Sequence, residues 1–118
     1  MVNRSKAKGT AAESAIATYL VGQGWPHVER RTLNGSADRG DITGIPGVMI
    51  EAKSVKTITL GAFVDEAAKE KANDKADVGV VWLKRRGKGS PADWYVVMTG
   101  AEFVWLLKEA GYHPESAS

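Results

Sequence analysis

Gly40-Asp41-Ile42-Thr43-Gly44-Ile45-Pro46-Gly47-Val48-Met49-Ile50-Glu51-Ala52-Lys53 is the stretch around which the rest of the chain is arranged. It reads as a tight β-hairpin. Asp41 opens the first arm, Pro46-Gly47 supplies the turn, and Val48 to Lys53 form an apolar second arm interrupted by two charges. Side chains alternate along a strand, so Glu51 and Lys53 share a face. Pairing Ile45 with Val48 sets Asp41 opposite Ala52, whereas a shift of one residue sets it opposite Glu51. Spacing leaves both registers open. In either one, Asp41 and Glu51 sit on neighbouring strands about 4.8 Å apart.

Upstream, Thr10-Ala11-Ala12-Glu13 has the form of a helix-capping box, and a helix is expected from Thr10 to about Gly22. Its apolar stripe takes in Ile16, Ala17 and Leu20, with Glu13 at the head of the same stripe. Two uses of Glu13 stay open on spacing alone, capping at N3 and metal ligation. Residues 1–9 read as a flexible basic arm, His27 to Leu33 as a first strand, and Asn34 to Gly40 as a loop.

Downstream, Leu60 to about Asn73 has helical composition, with a thin apolar face from Ala62, Phe63, Ala67 and Ala68. Asp77 to Leu83 is apolar almost throughout, as in a strand covered on both faces. Trp94 to Thr99 makes a fifth strand, and Ala101 to Ala110 a closing amphipathic helix stopped by Gly111. The tail 113–118 is expected to fray. The expected fold is a single α/β domain with a central mixed five-stranded sheet flanked by helices.

Composition sets the outer bounds. With 118 residues, 43% of them hydrophobic and 25% charged, the chain suits one globular core. The absence of cysteine excludes disulfides and thiolate metal sites. No apolar run approaches the roughly 20 residues of a membrane span, and no apolar stretch follows the basic N-terminus as in a secretory signal. A cytoplasmic location is the expectation. Net charge is only +2, but the cations cluster: Arg4, Lys6 and Lys8; Arg30 and Arg31; Lys84, Arg85, Arg86 and Lys88. Local clusters on a near-neutral chain suit an anionic partner.

Two carboxylates on adjacent strands repel each other, most of all near a core edge, and a bound cation relieves the repulsion. All-oxygen ligands select a hard ion, Mg²⁺ or Mn²⁺. Lys53 beside such an ion could position or deprotonate a water, or stabilise negative charge on a phosphate. Glu51-Ala52-Lys53 alone is a common surface pattern; with Asp41 across the turn and Glu13 upstream it becomes a candidate site.

Lys8-Gly9-Thr10 with Glu13, Gly40-Asp41-Ile42, and Glu51-Ala52-Lys53 together resemble the PD-(D/E)xK nuclease superfamily. More narrowly, they resemble the archaeal-type Holliday junction resolvases and their phage relatives, over roughly Lys6 to Lys84. The motif's proline is replaced here by Gly40, at a position that supplies no ligand. The resemblance implies an αβββαβ restriction-endonuclease-like core. It implies Glu13, Asp41 and Glu51 as metal ligands, Lys53 as the catalytic lysine, and Ser36 as the serine of a loop approaching the scissile strand. It further implies a homodimer that hydrolyses DNA phosphodiesters at four-way junctions with Mg²⁺ or Mn²⁺, in a bacterial or phage-infected cell. Arg4, Lys6, Lys8, Arg30 and Arg31 would then contact DNA phosphates, with Lys84 to Lys88 a further candidate. Asp38 is an acidic neighbour expected to serve as a loop cap or surface residue. Alternatives that keep the residues are a flap, nicking or restriction-type nuclease and a non-catalytic DNA-binding module. Trp82 and Trp105 are expected in the core or a dimer contact, and Trp25 and Trp94 at core edges.

Overall fold

The computed structural model describes residues 4–31 and 41–114, with side chains from Lys8 onward. The elements run α1 (Arg4–Gly22), β1 (Glu29–Arg30), β2 (Ile42–Thr43), β3 (Val48–Lys53), α2 (Leu60–Asp74), β4 (Val78–Leu83), β5 (Tyr95–Val97) and α3 (Gly100–Glu109), with a 3₁₀ turn at Pro91–Asp93. The strands form one mixed sheet in the order β1-β2-β3-β4-β5. Only β3 and β4 run parallel, and α2 is the crossover that parallel neighbours require. The expected α/β fold with a five-stranded mixed sheet is the one observed.

Alternation along β3 and β4 sorts the core into two layers. Val48, Ile50, Ala52, Val78 and Val80 pack with Ala12, Ile16, Ala17 and Leu20 of α1. On the other face Met49, Val81 and Leu83 pack with Phe63 and Ala67 of α2. The apolar run of β4 is therefore covered on both sides, as its composition demands. Glu51 and Lys53 belong to the odd-numbered face and point towards α2.

The hairpin turn has Val48 N–H donating to Ile45 O at 3.1 Å, with Gly47 at φ +81°. Pro46 pre-sets the first corner residue and Gly47 takes the positive φ, the chemistry of a type II turn. Gly44 (φ +111°) is needed for a second reason: a Cβ there would lie 2.3 Å from the His27 carbonyl oxygen.

The helix start differs from the capping-box reading. Residues 4–9, expected as a flexible arm, form the first turns of α1. Arg, Lys and Ala are good helix formers, and they extend the helix past Thr10. Thr10 and Glu13 consequently lie within the helix, and Glu13 has no N3 capping role. Ser36, Asp38 and the whole loop from Asn34 to Gly40 lie outside the described residues, as do Thr32 and Leu33 of the expected first strand and the tail from residue 115. Among the described residues no helix is long and apolar enough to cross a membrane.

Candidate active site

Asp41 stands at the entrance to β2, held from both sides. Its N–H donates to Ile50 O at 2.9 Å, and its carbonyl accepts from Arg31 N–H at 2.7 Å. Ile42 pairs with Ile50, and Asp41 N–H donates to that same Ile50 O, so Asp41 sits at a break in the ladder beside Glu51 and not squarely opposite it. Asp41 Oδ2 also accepts from Ala52 N–H at 2.9 Å, so the side chain replaces a ladder bond and is fixed against β3.

Glu51 is 5% exposed in the middle of β3. Lys53 Nζ lies 3.3 Å from its Oε1, and its Oε2 is buried without a hydrogen-bond partner. Lys53 is held a second time by Glu66 Oε2 of α2, at 3.0 Å, and its ammonium lies 5.2 Å from the Phe63 ring centroid. Glu70, one turn beyond Glu66, is equally buried, and its Oε2 also lacks a partner. The Glu51 and Glu70 carboxyl groups lie close enough for each to act on the other's proton affinity. One oxygen from each of Glu51, Glu66 and Glu70 lies within 4.8 Å of the others.

Glu13 approaches from α1, on the other face of the sheet. Its carboxylate accepts from Arg30 Nε at 2.9 Å and acts electrostatically on Asp41. Five carboxyl groups (Glu13, Asp41, Glu51, Glu66 and Glu70) thus converge on one region whose cations are Lys53 and Arg30.

The crowding shows in the proton affinities. Burial, then the neighbouring Glu51 charge, pushes Asp41 up to about 7, against the Ala52 hydrogen bond and with a further contribution from Glu13. Glu51 is raised well above the usual carboxylate range by burial and then by Glu70, with Lys53 opposing. Glu70 is raised by burial, and the charges of Glu66 and Asp41 add to the effect. For Lys53, burial favours the neutral amine, but Glu66 and Glu51 outweigh it and the net shift is upward. The lysine is therefore held as an ammonium between two acidic side chains.

The donor set fits a hard divalent cation. The candidate ligands are all oxygen, burial and then neighbouring carboxylates raise the proton affinity of Asp41, Glu51 and Glu70, and Glu51 keeps a buried, unsatisfied lone pair. Among the described residues, the carboxylates whose oxygens lie close enough together to share such an ion are Glu51, Glu66 and Glu70; of the expected ligands Glu13, Asp41 and Glu51, only Glu51 belongs to that group.

The basic residues divide into two groups. Arg30 is engaged by Glu13, and Arg31 Nη2 reaches both oxygens of Asp74 at 3.1 Å, tying β1 to α2. Lys8 is exposed on α1, whereas the side chains of Arg4 and Lys6 lie outside the described residues. Glu66 and Glu70 escaped the sequence reading, although a signal was present. Phe63, Ala67 and Glu70 recur at the spacing of one helix face, so Glu70 occupies a core position, just as Glu13 continues the stripe of α1. No family model, curated protein or solved structure matches this chain.

Proposed function

We propose that the chain is a metal-dependent, structure-selective endodeoxyribonuclease with a restriction-endonuclease-like core, acting as a Holliday junction resolvase in the cytoplasm. The observation that carries this reading is the clustering of Asp41, fixed against β3 by Ala52 N–H, with Glu51, whose charge acts on it, and with Lys53, 3.3 Å from Glu51. When bound at this carboxylate cluster, Mg²⁺ or Mn²⁺ would supply Lewis-acid stabilisation of phosphate charge and a more acidic water.

The chain's own residues do the rest. Lys53, kept protonated by Glu66 and Glu51, donates to a phosphate oxygen and neutralises charge developing on it. The hydrogen bond from Ala52 N–H fixes Asp41 before substrate arrives, so little reorganisation is needed at the moment of reaction. Arg30 holds Glu13 at the edge of the site.

Paired incisions across a junction require two sites, so the reading also calls for a homodimer. Support comes from α3 and β5, where Phe103, Val104, Tyr95 and Val96 are exposed beside the open edge of the sheet.

The test is incubation with a labelled synthetic four-way junction, with and without Mg²⁺, mapping products on both strand pairs. Asp41→Asn and Glu51→Gln are each expected to abolish cutting while junction binding persists. Undiminished cutting by either variant sinks the reading. Matched flap, nicked and linear substrates in the same assay separate a resolvase from another nuclease built on this site.

A further inference from the structure

A cleft of about 240 Å³ opens where β3 and β4 end, lined by Lys8, Ser54, Lys56, Lys84 and Arg86 among others. Lys84 N–H donates to Lys53 O at 2.8 Å, so the two strand exits leave the sheet side by side. Lys8 of α1 supplies a third wall. The segment after β4 is anchored, not loose. Lys88 N–H donates to Arg85 O at 3.2 Å across Gly87 (φ +81°), and Trp94 Nε1 donates to Lys88 O at 2.7 Å. The Lys84 ammonium rests 5.9 Å from the Trp94 ring centroid.

Every charged side chain among the described residues lining this cleft is basic. Among the described residues, Arg30, Arg31, Lys53 and Lys71 are all paired with carboxylates, whereas Lys8, Lys56, Lys84 and Arg86 are not. Four uncompensated cations from three separate segments, presented on an anchored backbone, suit an extended polyanion better than a single small anion. None of the described residues lining the cleft is aromatic, which suits contact with a phosphate backbone better than base stacking. Ser54 follows Lys53 directly, which places the cleft next to the candidate active site.

We propose that this cleft binds the DNA phosphates that flank the scissile one, with Lys8, Lys56, Lys84 and Arg86 as the contacts and the Ser54 hydroxyl as an added donor. The assignment rests on the nuclease reading for what lies at the neighbouring carboxylates, but it can be tested without cleavage.

The experiment measures fluorescence anisotropy of a fluorescein-labelled four-way junction and a matched duplex, in EDTA, across a series of NaCl concentrations. Lys56→Gln/Arg86→Gln, at two exposed positions, is compared with Lys75→Gln/Lys108→Gln, an equal charge change elsewhere on the surface; thermal melts confirm that both fold. The cleft variant is expected to bind about tenfold more weakly or worse, and to flatten the slope of log K against log[salt] by about 2. The control variant is expected to leave both quantities near wild type. Equal slopes for the two variants overturn the assignment. If wild type cuts junctions but the cleft variant keeps its slope, the cleft fails and the nuclease reading stands. If wild type binds with a cleft-dependent slope but never cuts with Mg²⁺, the cleft stands and the nuclease reading fails. A wild-type protein that binds no DNA overturns both.

Discussion

Glu70 shows how one residue can store a conflict inside a fold. A buried carboxyl against Glu51 costs stability when both are ionised, because neither is solvated and Lys53 is shared with Glu66. Glu70→Gln removes one charge and gives Glu51 an amide donor. At pH 8 without metal, this variant is expected to melt roughly 5 °C higher than wild type, about 1 kcal/mol in a chain of this size. At pH 5, where the pair already holds its proton, the difference should vanish. Asp41 supplies the matching pH dependence. Its folded-state pKa of about 7 lies above the ordinary 3.8, so the folded protein binds a proton that the unfolded chain releases. That contribution is complete below pH 4 and is lost as pH rises through 7. Metal-free wild type should therefore melt progressively lower from pH 5 to pH 8. Added Mn²⁺ should restore more stability at pH 8 than at pH 5, because it competes with the same protons. Differential scanning fluorimetry at fixed ionic strength checks both; a flat profile without metal would show that the carboxyls are not crowded as described.

The hairpin between β2 and β3 is the element on which the site depends, and its geometry hangs on two glycines. Gly44→Ala places a methyl group against the His27 carbonyl at a backbone conformation that L residues avoid. The expected cost is about 3 kcal/mol or more, read by chemical denaturation. Gly61→Ala, in the first turn of α2 with open space around it, is expected to be neutral or to stabilise by up to about 1 kcal/mol. A similar loss in both variants would mean that the turn does not hold the strands in register. Much of this was legible in the sequence. Pro46-Gly47 announces its turn, and the alternation along β3 puts Glu51 and Lys53 on one face. The start of α1 was not legible, because a capping-box pattern at Thr10 competes locally with helix-forming residues on both sides of it.

At the scale of the molecule, α3 is the least integrated of the three helices, with none of its residues fully buried. Lys71 Nζ and Glu102 Oε1 tie it to α2 at 2.7 Å, and Leu106 packs against the core. Phe103 is 53% and Trp105 37% exposed, so Trp105 does not lie in the interior. Trp94, by contrast, is buried at the core edge as expected, whereas Trp25 is exposed. If a second copy covers the exposed residues of α3 and β5, Phe103→Glu should convert a dimer to a monomer in sedimentation equilibrium while leaving the melting profile cooperative. An unchanged mass for the variant, or a monomeric wild type at micromolar concentration, removes this face as the contact.

The sequence by itself determined the order of elements, the two-layer cover of the sheet, and the placement of Glu51 beside Lys53. These follow from short-range sterics and from periodicities of 2 and 3.6 residues, which any stretch of chain expresses locally. Tertiary structure alone decided that Asp41 is fixed against β3 beside Glu51 and that Glu66 and Glu70 meet Glu51 from α2. It also decided that Arg30 and Arg31 are engaged by Glu13 and Asp74 while Lys56, Lys84 and Arg86 are left unpaired. Each of those outcomes joins side chains from segments far apart in the chain, and packing between elements, not local preference, sets how they meet.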